Sequence, residues 1–157
     1  MVLGAIGRIQ AGPEAELVAD YLDRSRKIGR GLGVTRIDEL ERAESRKATT
    51  DHRKSEEALI LAGLIPQGAL ILAFDEHGTT PDSPGFAALI DQARNSGRDM
   101  AFLLGGPDGH GQDVLKMADH VVSMGRMTFP HALARGMVSE QIYRGLTILA
   151  RHPYHRV

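Results

Sequence analysis

The sequence has no cysteine in its 157 residues. Disulfides, thiolate metal sites and thiol nucleophiles are excluded together, and a reducing, cytoplasmic setting is the default expectation. No apolar run approaches the length needed to span a bilayer, so no membrane partner is expected. Met1 to Gln10 lacks a basic lead-in and a convincing cleavage site, and reads as a first strand, not a signal peptide. An excess of one charge is missing as well: 19 Lys and Arg stand against 20 Asp and Glu. Such a balance does not coat nucleic acid by bulk electrostatics. Local basic clusters do occur at Arg24, Arg26, Lys27 and Arg30, and at Arg46, Lys47, Arg53 and Lys54. They are equally well solvated helix faces. Tight RNA binding would need several patches brought together, as by dimerisation.

Several catalytic signatures are absent. The histidines (His52, His77, His110, His120, His131, His152 and His155) show no ligand spacing such as H-E-x-x-H, so no metal is expected. No G-x-S-x-G elbow is present, which excludes the usual α/β-hydrolase nucleophile. Asp75 and Glu76 stand at a strand end, where an acid/base pair is one reading and loop structure the commoner one.

What is present is an alternation of strands and helices in one domain, residues 1–157. Val2 to Ile9 reads as a strand, and Pro13 opens a helix through Leu17, Val18, Tyr21 and Leu22. Glycines 29, 31 and 33 end it before a short strand, Val34 to Leu40. A polar stretch follows, then a helix over Glu56 to Leu64. Ala69 to Phe74 and Met100 to Leu104 are apolar runs of the length of strands buried on both faces. Asp75 to Gly85 reads as loop and Phe86 to Arg94 as helix. A short helix over Asp113 to Ala118, a third buried strand over Asp119 to Met124 and a long helix over Pro130 to Arg151 complete the order. The implied fold is α/β, a parallel sheet with helices on both faces.

Ligands in such sheets sit beyond the carboxyl ends of the strands, which singles out Phe74, Gly105 and Met124. Gly105, Gly106, Gly109 and Gly111 form a turn that lets a backbone approach a ligand closely. Their spacing reverses the dinucleotide fingerprint, and no phosphate-loop Lys-Ser/Thr follows. A tight turn with a helix cap remains the plainer reading. Met124 to Phe129 can wrap a flat ring with main-chain groups, Met127 and Phe129 giving apolar walls; the same two side chains also suit a core. The long helix carries Leu133, Met137, Ile142, Leu146 and Leu149 at helical spacing. The tail sets a phenol, an imidazole and a guanidinium side by side in Tyr154, His155 and Arg156, although chain ends usually fray.

Four segments resemble the ribosomal RNA large subunit methyltransferase H family of the SPOUT superfamily. They are Phe102 to Gly109, Met127 to His131, Glu140 to Arg144 and His152 to Arg156. Phe74 stands where leucine is usual in that family, and Gly136 where a β-branched residue is. The resemblance implies a deep C-terminal trefoil knot, over about residues 69–157, and a homodimer contacting through the long helix. It implies S-adenosylmethionine held by Phe74, Gly105, Met124, Gly125, Arg126, Met127, Thr128 and Phe129. The implied activity is methylation of N3 of a pseudouridine (pseudouridine1915) in 23S ribosomal RNA, in the large subunit or the assembled ribosome. His155 is the first candidate for assisting proton loss and Tyr154 the next; Arg144 and Arg156 would position the base or phosphate and stabilise negative charge. The alternatives are a knotted methyltransferase acting on transfer RNA, and a non-catalytic RNA-binding module of ribosome assembly.

Overall fold

The computed structural model describes residues 1–155. In chain order it has β1 (Val2–Ile6), α1 (Pro13–Gly29), β2 (Asp38–Arg42), α2 (Thr50–Ala62), β3 (Leu70–Thr79), α3 (Ser83–Asn95), β4 (Met100–Leu104), α4 (Gln112–Met117), β5 (His120–Val122) and α5 (His131–Leu149). The strands form one sheet in the order β2-β1-β4-β3-β5, and every pairing is parallel. This is the expected parallel α/β architecture.

The two-residue period of the strands divides the core into two layers. Leu3, Leu70, Leu72, Phe102 and Leu104 pack with Val18 and Leu22 of α1, Phe86 and Ile90 of α3, and Val138, Ile142 and Leu146 of α5. On the other face Val2, Ile6, Ala73, Ala101 and Leu103 pack with Ala58 and Leu61 of α2 and Val114 of α4. β4 is buried along its whole length, which explains why its sequence is a continuous apolar run instead of an alternating one.

Local chemistry fixes the helix starts. Pro13 occupies the first turn of α1, where its missing N–H costs nothing. Thr49 Oγ1 accepts from the His52 N–H at 3.3 Å, and Asp82 Oδ1 accepts from the Gly85 N–H at 2.8 Å, capping α2 and α3.

Several element boundaries differ from the sequence expectation. β1 ends at Ile6 instead of Ile9, and β2 begins at Asp38 instead of Val34. Val34 and Ile37 are buried as their apolarity suggests. The Val34 N–H, however, bonds to Gly29 O at 2.9 Å and closes the end of α1. The strand is then Asp-Glu-Leu-Glu-Arg, a charged edge whose polarity hides it from an apolar search and discourages pairing with other chains. α2 starts at Thr50, well before Glu56, because its first turns are polar and project outward. β5 is confined to His120–Val122, and Pro130 caps α5 without belonging to it.

The largest correction lies at β3, which continues to Thr79 through residues expected to be loop. Phe74 and Thr79 both register with Val122 of β5, so residues 75–78 bulge out between two pairings. Gly78 makes that return possible. A Cβ there would stand 2.6 Å from the Val122 carbonyl carbon, closer than any side chain tolerates.

Candidate functional site

β3 and β4 are neighbours in the sheet, yet their connections leave for opposite faces. The chain after β3 enters α3 on one face, and the chain after β4 enters α4 on the other. Such a divergence opens a crevice at the carboxyl ends of the strands. Phe74 lies directly across from Leu104 on β4 and from Val122 on β5. Phe74, the glycine loop that begins at Gly105 and the turn that begins at Ser123 therefore meet at one edge.

A cavity of about 500 Å³ opens there, a size suited to a small organic ligand. Phe74, Val122, Ser123, Met124 and Gly125 line one side, with Thr80 and Pro81 from the loop after β3. Leu17 and Tyr21 of α1 and Gly136, Met137, Glu140 and Gln141 of α5 line the other. Of the expected cofactor positions, Phe74, Met124 and Gly125 thus share this cavity. Gly105, Arg126, Met127, Thr128 and Phe129 are not among its lining residues. Arg126, Met127 and Thr128 face solvent, and Met127 is 75% exposed, which removes the reading of Met127 as core.

Two loops hold this edge in shape. Ser123, buried, donates from Oγ to Gly125 O at 3.0 Å and accepts from the Gly125 N–H at 3.1 Å, clamping the turn around Met124. In the glycine loop, a Cβ on Gly105 would lie 3.0 Å from the Gly109 carbonyl carbon and 3.1 Å from the His110 nitrogen. The loop folds back on itself at that point, and only a residue without a side chain fits comfortably. His110 is buried beneath it, with Nε2 3.2 Å from Leu103 O. Burial holds the His110 imidazole below its ordinary pKa and so keeps it neutral. Asp108 accepts from Arg53 Nε at 2.6 Å and from its Nη2 at 3.2 Å, tethering the loop to α2. That guanidinium keeps the Asp108 carboxyl below the usual carboxylate range.

A second cluster stands next to the glycine loop, between β1 and the start of α5. Arg135 is fully buried and pairs with Glu39 and Glu41 of β2. Its Nη2 donates to Gly7 O at 2.6 Å and to His131 Nε2 at 2.7 Å. Burial and the adjacent Arg135 charge lower the His131 pKa, so that ring is neutral and accepts.

The tail returns to the helices. Tyr154 donates to Glu140 Oε1 at 3.0 Å, and Arg144 Nη2 donates to the same oxygen at 2.5 Å. The Arg144 guanidinium sits 4.9 Å from the Tyr154 ring centroid, within cation–π range. Two of the expected catalytic residues, Arg144 and Tyr154, are therefore in contact, and Glu140, which joins them, also lines the cavity. His155 follows, half-buried, its Nδ1 without a hydrogen-bond partner among the described residues. Arg156 lies outside the described residues.

Sequence reasoning gave no functional weight to Ser123, Tyr21 or Glu140. Ser123 is one small residue among apolar neighbours, and Tyr21 lies far from every motif. Glu140 belongs to the Glu140 to Arg144 segment, and its spacing of four residues from Arg144 is a legible pairing signal. Asp75 accepts from the His77 N–H at 3.0 Å and from its ring at 3.1 Å, so it holds local loop structure.

Residues 1–155 match the family described as "Predicted SPOUT methyltransferase". Among curated proteins, the chain is 47% identical over 152 residues to the "Ribosomal RNA large subunit methyltransferase H" of Beijerinckia indica, covering 96% of this chain and 95% of that protein. It is 47% identical over 156 residues to the protein of the same name from Paracoccus denitrificans, covering 99% of this chain and 98% of that one. Among solved structures, a "probable methylase family protein" from Haemophilus influenzae aligns with 99% of this chain and 70% of its own. The TM-score is 0.53 at 9% identity, a likeness of fold alone. The chain belongs to the SPOUT methyltransferase family.

Proposed function

We propose that this protein transfers a methyl group from S-adenosylmethionine to N3 of a pseudouridine in 23S ribosomal RNA. The observation that carries the proposal is the 47% identity, over almost the full length of both chains, to proteins named for large-subunit ribosomal RNA methylation. The geometry fits it. The cavity is of cofactor size, largely apolar, and bordered by main chain at the turn Ser123–Gly125. The residues proposed to hold the cofactor are Phe74, Gly105 and Met124 to Phe129, with the knot over about 69–157 gathering their loops. The homodimer is part of the same proposal, with α5 as its contact.

The cofactor supplies an electrophilic methyl on a sulfonium whose departure leaves a neutral thioether, so the leaving group needs no acid. What the protein's own groups must provide is alignment and a favourable setting for an imide nitrogen losing its proton. Arg144, Arg156, Tyr154 and His155 stand as the candidates. Arg144 is a permanent cation at a side-chain exposure of 27%, suited to a developing anion or a phosphate. His155 carries an imidazole, the side chain most often used for general-base work.

The test is methylation in vitro of naked 23S RNA, large subunits and assembled ribosomes, with the modified position mapped by mass spectrometry. Expected is transfer to N3 of one pseudouridine of the large-subunit RNA, lost in both His155→Ala and Arg144→Ala. Methyl transfer to transfer RNA alone, or no cofactor binding by calorimetry, would overturn the proposal.

A further inference from the structure

Tyr154 is held from two helices at once. From α5, Glu140 Oε1 takes its hydroxyl at 3.0 Å and the Tyr143 ring meets it edge-on, the centroids 4.7 Å apart. Arg144 lies over its ring and is itself bonded to Glu140. From α1, the Tyr21 hydroxyl stands 3.4 Å from that of Tyr154, with Arg24 over the Tyr21 ring. The charged and titratable groups around this phenol are therefore Glu140, Arg144 and Tyr143 on one side, and Tyr21 with Arg24 on the other.

An ionised carboxylate only accepts hydrogen bonds, so Tyr154 must be the donor and must carry its proton. A phenolate in its place would face a carboxylate oxygen at bonding distance. The nearest cation, Arg144, offsets that repulsion only in part, since its own hydrogen bond goes to the carboxylate oxygen at 2.5 Å and not to the phenol. Tyr21 and Glu140 are also walls of the cavity shared with Phe74 and Met124, so the arrangement belongs to the edge where the site is proposed.

We infer that Tyr21 and Glu140 are positioning residues, forming a socket that holds Tyr154 as a neutral phenol and sets Arg144 beside it. In this arrangement Tyr154 orients and does not accept the imide proton, which leaves His155, the next residue along, for that task. The inference rests on the proposed methyl transfer only for this second part; the neutral, socketed phenol is a property of the protein alone. Partial burial, the hydrogen bond with Tyr21 and the hydrogen bond donated to Glu140 all raise the Tyr154 pKa above its ordinary value, in agreement.

The experiment has two arms. The chain has three tyrosines and no tryptophan, so a protein carbon-13 labelled at the tyrosine ring gives three signals, with Tyr154 identified by its loss in Tyr154→Phe. Expected is a Tyr154 signal with its midpoint above the ordinary value near 10, and an earlier titration in Glu140→Gln and in Tyr21→Phe. A Tyr154 midpoint at or below the ordinary value would overturn the socket. The second arm measures methyl transfer on large subunits. Tyr154→Phe, which keeps the ring, should stay within about tenfold of the parent with an unchanged pH–rate shape, while Tyr154→Ala should lose about a hundredfold. Glu140→Gln should lower kcat about tenfold. If Tyr154→Phe is as inactive as Tyr154→Ala, the phenol is the proton acceptor and the inference fails. If the parent protein methylates no large-subunit RNA, the functional proposal fails while the result of the first arm stands by itself.

Discussion

Arg135, the largest wholly buried side chain, pairs with Glu41 and so ties α5 to β2, the far edge of the sheet. The same guanidinium reaches Glu39, Gly7 O and His131, so one side chain joins three elements. Arg135→Met keeps much of the volume but leaves the Gly7 carbonyl and two carboxylates without their donor. The expected loss is about 3 kcal/mol of unfolding free energy, the lower end for a broken buried pair because the carboxylates are partly exposed. Arg135→Lys should recover little, since an ammonium does not span four acceptors in one plane. Urea unfolding measures both; a midpoint for Arg135→Met equal to the parent's would refute this account.

Gly78→Ala places a methyl 2.6 Å from backbone that cannot rotate away. β3 and β5 must separate to admit it, at a cost of roughly 1–3 kcal/mol. Because Phe74 and Val122 both line the cavity next to that pairing, ligand affinity should fall together with stability. Calorimetry with S-adenosylmethionine and thermal melting report the two effects; a variant that melts and binds like the parent would show that the close approach is unimportant.

Gly105→Ala and Asp108→Asn probe the glycine loop separately. The first pushes a methyl against the Gly109 carbonyl carbon, and the second releases the loop from Arg53. Both should weaken cofactor binding, Gly105→Ala by about tenfold or more and Asp108→Asn by less, because its ion pair is partly exposed. An Asp108→Asn variant that binds more weakly than Gly105→Ala would reverse the assigned order.

Stability should decline on mild acidification. His110 and His131 both have folded pKa values below the ordinary value of 6.5, and burial is the main cause for each. Below that pH the unfolded chain binds protons that the folded chain refuses, so stability is fully present above about pH 6.5 and is lost as pH falls through the folded values. Melting temperatures from pH 8 to pH 5 should show the fall, reduced in His110→Asn. An identical slope in the double variant His110→Asn, His131→Asn would assign the loss to other groups.

Apolar patterning located the central strands well. Met100 to Leu104 was expected residue for residue, and Leu70 to Phe74 nearly so, because a strand buried on both faces must be apolar throughout. The same criterion failed at β2, a charged edge strand, and at the polar first turns of α2. It also failed at residues 75–79, where pairing with β5, and not local composition, extends the strand. In the candidate site, the strand-end rule pointed to Phe74 and Met124, which line the cavity, and to Gly105, which does not. It did not find Tyr21, since nothing within α1 distinguishes a tyrosine that packs on a core from one that meets the tail.

The sequence by itself determined the alternation of strands and helices, the parallel sheet and the family, because each rests on short-range patterns or motifs read in order. Only the tertiary structure decided that Arg144, Glu140, Tyr154 and Tyr21 form one contact group beside the cavity. Tyr21 and Tyr154 are separated by 133 positions. Their meeting depends on how α1 and α5 pack against the same face of the sheet, a relation set by side-chain volumes across the whole core and written in no local stretch of the chain.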